Sequence, residues 1–305
     1  MSAFKWLASF VLAATVVPAL PAEPHCPGNV HSLRFRLVHR SQIIAPVMIN
    51  HNGPYDFLVD TGTKLTVVDP SLAAELHLNN VGKAEFGGVG FHTRAPLAQL
   101  DLLQVGSQSV ANHLVVVQDL KHLEGAELYI RGIVGGSFLE HFEVLIDNAH
   151  TILCLDNARA MRTEVKGQPI ALVTPPQEVG GELSTRPLIL PVHLSAFGTQ
   201  QLLLRLDSGT NVSFLYHLGG YSDPQVFERV HLRGRTADGG DRAFAILPPQ
   251  ELKVGTLICH NIPFITLADT KREVPKAESD GLLATGLFRR VYISYADQFV
   301  VLEPW

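Results

Sequence analysis

The chain has 305 residues, 46% of them hydrophobic and 17% charged, with a formal net charge of −5 at pH 7. That length exceeds one minimal domain and suits two units of somewhat over about a hundred residues each, with enough apolar residues for real cores. The modest, dispersed charge, with no basic stripe and no run of like charges, argues against nucleic acid or an anionic membrane surface as a partner.

The chain opens with Lys5, the apolar run Trp6 to Val17, and the small-residue stretch Pro18-Ala19-Leu20-Pro21-Ala22. A positive start, a short apolar core and a small-residue exit are the parts of a secretory signal, assigned to residues 1–22 with cleavage after Ala22. The run is too short to span a bilayer, which needs about 20 apolar residues. A secreted or periplasmic protein with no stable membrane insertion is therefore expected. Glu23-Pro24-His25 before Cys26 does not resemble a lipid-attachment box. The three cysteines, Cys26, Cys154 and Cys259, are too few and too odd in number for a disulfide framework. Cys154 and Cys259 lie in strand-like runs and are read as small buried hydrophobes, so stability is expected from packing alone.

Beyond the signal, long helical periodicity is scarce, and short Val/Ile/Leu-rich runs broken by Gly, Pro, Asn and Asp predict an all-β architecture. The pattern occurs twice. Ile43 to Asn50, a turn at His51-Asn52-Gly53-Pro54, and Tyr55 to Asp60 are echoed by Pro187 to Leu194, a turn at Ala196-Phe197-Gly198-Thr199, and Leu202 to Asp207. Further along, Leu102 to Gly106 is echoed by Glu251 to Gly255, Gly132-Ile133-Val134-Gly135 by Gly281-Leu282-Leu283-Ala284, and Val144 to Asp147 by Tyr292 to Asp297. The apolar runs Leu114–Val117 and Ile262–Leu267 also correspond. Duplication divides the chain into units 31–157 and 185–305, joined by a Pro- and Gly-containing connection at 158–184 in which Ile170 to Val173 can add a strand.

Each half carries one aspartate at a strand end, followed by a hydroxyl residue, a glycine and a threonine: Asp60-Thr61-Gly62-Thr63 and Asp207-Ser208-Gly209-Thr210. The glycine permits a tight turn and close approach of another segment, while the hydroxyls can bond the carboxylate or nearby backbone. Two such turns face to face would bring two carboxylates within a few ångströms, where both cannot ionise cheaply and a proton is shared. The ionised partner can take a proton from a bound water attacking an amide carbonyl, and the protonated partner can donate toward the carbonyl oxygen. Neither a metal nor another cofactor is called for. One D-T-G is a weak signal; two at matching places in a repeat are specific.

With Phe57-Leu58-Val59-Asp60-Thr61-Gly62-Thr63, Leu204-Arg205-Leu206-Asp207-Ser208-Gly209-Thr210 and Gly132-Ile133-Val134-Gly135, the chain resembles aspartic peptidases of the pepsin and retropepsin superfamily. It looks most like a fused tandem of retropepsin-like domains, over about residues 31 to 305. The resemblance implies two β-barrel-like lobes about a pseudo-twofold axis, a cleft between them, and Asp60 and Asp207 as the catalytic pair. Thr61, Gly62, Thr63, Ser208, Gly209 and Thr210 would support it. It also implies a peptide or protein substrate and a monomer.

Two departures stand out. The second apolar-apolar-Gly signature reads Leu282-Leu283-Ala284, with Gly286 two residues late, so that strand either accommodates a methyl group or shifts register. No tyrosine lies in either candidate flap tip, Phe86-Gly87-Gly88-Val89-Gly90-Phe91 or Ala237-Asp238-Gly239-Gly240. The flap assignment to Gly87, Gly88, Gly90, Gly239 and Gly240 rests on glycine at hairpin tips. Lys64 is read as a solvated side chain at the loop edge. Among fourteen histidines there is no H-E-x-x-H and no ligand set in zinc spacing. The rival to an endopeptidase is a peptide-binding protein that keeps the cleft and has lost or weakened its chemistry through the altered second half.

Overall fold

The recurring apolar runs fold into strands throughout a computed structural model that describes residues 25–39, 41–88, 91–123, 129–173, 185–218, 231–235, 241–268 and 278–305. The predicted signal segment, the glycines at 90, 239 and 240, and residues 174–184 of the predicted connection lie outside these residues. The structure is all-β: among the described residues the α-helices are two short pieces, Pro70–Glu75 and Gly136–Leu139. The first starts where Asp69 accepts the Ser71 amide at 2.8 Å ahead of a proline already shaped for a helix start. No helix among the described residues is long and apolar enough to cross a membrane.

The first half builds an eight-stranded sheet in the order Arg36–Val38, Gln42–Ile49, Asn52–Val59, Gly132–Val134, Val67–Val68, Gln108–Val117, Phe91–Val105 and Asn80–Gly88. Gln42–Ile49 also pairs with Phe91–Val105, so the sheet curls back on itself. The second half builds a nine-stranded sheet in which His231–Arg235, Asp241–Ile246, Phe264–Leu267, Ser213–Leu215, Gly281–Ala284, Gln201–Asp207, Ile189–Leu194, Gln250–Val254 and Leu257–Ile262 follow one another.

The strand registers of the two halves correspond. Asn52–Val59 runs parallel to Gly132–Val134 with Val59 opposite Val134, and Gln201–Asp207 runs parallel to Gly281–Ala284 with Asp207 opposite Ala284. Phe57 faces Gly132 as Leu204 faces Gly281, so the second strand keeps its register and Ala284 stands where the first half has Gly135. The hairpin turns at Gly106 and Gly255 match as well, with φ of 61° and 57°, a left-handed conformation that glycine adopts freely. The first hairpin turn is tighter than expected: Asn52 is already in the strand, and Asn50 and His51 make the turn with φ of 47° and 65°.

A third sheet, six-stranded, draws on both halves: Ser32–Arg34, Ile152–Asp156, Glu143–Asp147, Phe288–Ser294, Phe299–Pro304 and Ile170–Ala171. The echoed segments Val144–Asp147 and Tyr292–Asp297 thus meet, with Val144 opposite Ile293, and the strand anticipated near Ile170 forms its edge. One apolar core runs from Ile43 and Phe57 through Phe138 and Leu206 to Phe288 and Tyr295 without a break between the halves.

The cysteines correct the sequence reading. Cys26 and Cys154 form a disulfide across 128 residues of chain, tying the segment before Ser32 to the shared sheet, while Cys259 is free. Both bonded residues are buried. An odd, sparse cysteine count excludes a framework of several bridges and says nothing about one bridge between distant residues that the fold brings together.

Candidate active site

Asp60 follows the strand Asn52–Val59, and Asp207 ends the strand Gln201–Asp207. Each folds a turn around its own carboxylate. Asp60 Oδ1 accepts the Gly62 and Thr63 amides at 2.7 and 3.1 Å, and Asp207 Oδ1 accepts the Gly209 and Thr210 amides at the same two distances. The turns face each other so closely that a methyl group on Gly62 would collide with the Asp207 carboxylate, and one on Gly209 with that of Asp60. Only glycine fits between the two acids.

The second residue of each turn locks the two halves together. Thr61 Oγ1 accepts the Ser208 amide at 3.0 Å and donates to the Leu206 carbonyl at 3.0 Å. Ser208 Oγ accepts the Thr61 amide at 3.1 Å and donates to the Val59 carbonyl at 2.7 Å. Both hydroxyls are buried, so all four bonds form away from water, where leaving any one unmade would be expensive. Two further contacts cross the halves: Gln42 Nε2 donates to the Gly209 carbonyl at 2.9 Å, and an Arg205 guanidinium nitrogen donates to the Gly62 carbonyl at 3.1 Å.

The fourth residues differ. Thr63 Oγ1 donates to Asp60 Oδ2 at 2.6 Å, whereas Thr210 Oγ1 turns away to the Val212 carbonyl at 2.8 Å. Burial pushes the Asp207 carboxyl well above the usual carboxylate range, and the adjacent Asp60 charge adds to this; the Gly209 amide and Arg205 pull the other way. A proton is therefore held at the pair more tightly than on an isolated carboxyl.

Behind the Asp60 turn, Gly135 presses on the Leu65 carbonyl, and the helix Gly136–Leu139 begins by donating the Gly136 and Ser137 amides to the carbonyls of Thr63 and Lys64, both at 2.8 Å. Thr66 Oγ1 accepts the Gly135 amide at 3.3 Å and meets His113 Nε2 at 3.1 Å. His113 is buried, and that burial, with the charge of His141 beside it, lowers its pKa to about 4. Behind the Asp207 turn, Ser213 Oγ accepts the Ala284 amide at 3.1 Å.

All eight residues singled out as the pair and its support meet at this junction. Lys64 is not merely solvated: its amine pairs with Glu278 at 2.6 Å. Of the flap candidates, Gly87 and Gly88 end a strand whose hairpin partner begins at Phe91. The second hairpin, between His231–Arg235 and Asp241–Ile246, has its tip outside the described residues. Sequence reasoning missed Gln42, Arg205, Glu278, Thr66 and His113. Of these only Arg205 carried a signal, being a charge in the otherwise apolar strand before an aspartate. Among the described residues no cluster of three or more His, Cys, Asp or Glu is arranged to hold a metal ion.

Residues 45–138 match the family described as Aspartyl protease, a span that includes the Asp60 turn and the Gly132–Gly135 run. Among solved structures, a retropepsin-like aspartic protease from Rickettsia conorii aligns at 19% identity with a TM-score of 0.31, covering 42% of this chain and 91% of that one. No curated protein matches. Over residues 45–138 the chain is thus similar to the aspartyl protease family.

Proposed function

We propose that the protein is an aspartic endopeptidase in which Asp60 and Asp207, one from each of two lobes, activate water against a peptide bond. The observation that carries this reading is the reciprocal packing of the two turns, each glycine lying against the opposite carboxylate. Asp60, with three donors on its oxygens, acts as the base that removes a proton from water held between the pair. Asp207, buried and protonated, donates to the substrate carbonyl oxygen as the tetrahedral intermediate forms. Its collapse breaks the C–N bond as Asp60 passes the proton taken from water to the leaving nitrogen and Asp207 regains one from the intermediate's hydroxyl. The interlocked Thr61 and Ser208 keep the two acids at fixed separation, supplying the preorganisation on which such catalysis depends. The hairpin whose first strand ends at Gly87 and Gly88 would close over the substrate.

The chain is proposed to act as a monomer, since one polypeptide supplies both aspartates, and in an oxidising compartment outside the cytoplasm, where the Cys26–Cys154 bridge would persist. Incubation of the mature protein with a peptide library, with products identified by mass spectrometry, tests the reading. Cleavage by the wild type and none by Asp60→Asn is expected, with no effect of chelators or serine-directed reagents. Unchanged peptides under acidic and neutral conditions would favour the binding-protein reading.

A further inference from the structure

Beside the two turns lies a charged cluster that the two-aspartate chemistry leaves unassigned: Arg205, Glu278 and Lys64. Side chains alternate along a strand, so Arg205 shares a face with Asp207 while Leu204 and Leu206, both fully buried, point into the core. One guanidinium nitrogen reaches across the halves to the Gly62 carbonyl at 3.1 Å, and the other donates to Glu278 Oε2 at 2.7 Å. Glu278 Oε1 accepts the Lys64 amine at 2.6 Å. One carboxylate from the second half therefore anchors both neighbours of Thr63: Lys64 directly, and Gly62 through Arg205. The side chain of Arg205 is 16% exposed, against 39% for Glu278 and 47% for Lys64, so its charge is the least screened of the three. The first half has Leu58 at the corresponding place, opposite Ile133 as Arg205 is opposite Leu282.

We infer that Arg205, held by Glu278, is a positioning residue that pins the Asp60 turn to the Asp207 strand and sets the charge beside the aspartate pair. This rests on the pair being the reacting centre. Asp207 is faced by Asp60 from the opposite turn, by Arg205 on its own strand and by Tyr216 beyond its own turn; Lys64 and Glu278 stand behind Arg205. Burial raises Tyr216 to about 12, so it stays neutral in the working range. Burial by itself would raise Glu278, but the hydrogen bond from Lys64 and the charges of Lys64 and Arg205 hold it below the usual carboxylate range. It is an anion whenever the pair works. Removing the cation leaves Asp207 beside an anion with nothing between them, and removing the anion leaves the cation uncompensated. The two changes must move the pair's titration in opposite directions.

Carbon-13 titration of aspartate carboxyls by NMR tests this without needing a substrate, using Asp207→Asn to assign the raised resonance. Arg205→Met should move that titration upward by roughly 0.5 to 1 pH unit and Glu278→Gln downward by a similar amount. Arg205→Lys, which keeps the charge and loses the two-armed contact, should leave it near the wild-type position. A raised aspartate that ignores both neutralising substitutions, or moves the same way in both, overturns this inference alone. A wild type with no raised aspartate overturns it together with the two-aspartate reading.

Discussion

Thr63 and Thr210 occupy the same place after their aspartates, yet one gives its hydroxyl to the carboxylate and the other to the backbone of Val212. The same divergence extends outward. Among the described residues, the Asp60 turn is backed by a glycine, a helix start that donates two amides to the turn and the Thr66–His113 contact, whereas the Asp207 turn is backed by Ala284, a short 3-10 turn at Thr285–Leu287 and the Ser213 hydroxyl. Nearly identical backbone bonds hold both carboxylates, so the repeat supplies position. In the proposed mechanism the unequal surroundings are what would distinguish the acid from the base. A perfectly symmetric pair would need its substrate to break the tie.

The largest expected effect is one the asymmetry should not touch. Asp60→Asn and Asp207→Asn should each lower kcat/KM by at least about a thousandfold while leaving the protein folded, because base and acid are both indispensable. Steady-state kinetics on a common peptide would break the comparison if either folded variant kept more than a few percent of activity.

Exchanging the backing residues sharpens it. Gly135→Ala drives a methyl group against the Leu65 carbonyl and should cost about 3 kcal/mol in urea unfolding. Ala284→Gly should cost only about 1 kcal/mol, the loss of one buried methyl and some chain stiffness. Equal costs would mean that the two backing strands are not distinguished as their packing implies.

His113 gives the first half a pH dependence of its own. Counting along strands that pair in parallel with Val67 in one half and Phe214 in the other, the second half has the apolar Ile262 at that place. The folded pKa of about 4 lies below the ordinary histidine value of 6.5, so the unfolded chain binds the extra proton first. Its stabilising contribution is full above pH 6.5 and is lost as pH falls toward 4, by roughly 2 to 3 kcal/mol. Melting curves across that range should be flatter for His113→Ile than for the wild type, and parallel curves would remove His113 from the account.

The smallest expected effect isolates the fourth residues. Thr63→Val should lower kcat about tenfold, the worth of one hydrogen bond to a charged group, and Thr210→Val by less than about threefold. Reversed sizes in single-turnover rates would reassign which carboxylate needs its hydroxyl.

Much of this was legible in the sequence because it depends on local spacing. Strand-ending aspartates, hydroxyls at fixed offsets and glycines at turns are read residue by residue, and the repeat supplied their pairing. The choice between an accommodated methyl and a shifted register at Ala284 was not legible, since it depends on which backbone atoms lie behind the strand. Nor was the division of labour among hydroxyls. Thr61, Thr63, Ser208 and Thr210 look interchangeable in sequence, and only the meeting of the halves sends two across the interface, one to a carboxylate and one to its own turn. Gln42, Arg205 and Glu278 reach the site from far away in the chain. Cys26 finds Cys154 across 128 residues through a sheet built by both halves, which no spacing rule anticipates.

The most direct test of a shared two-aspartate site is calorimetric titration with a peptide whose scissile amide is replaced by a hydroxyl-bearing tetrahedral carbon, mimicking the intermediate. Tight binding to the wild type, weakened at least about a hundredfold and to a similar degree in both Asp60→Asn and Asp207→Asn, is the predicted result. Equal affinity for the wild type and both variants would mean that the cleft holds peptide without using its carboxylates, and would contradict the endopeptidase reading.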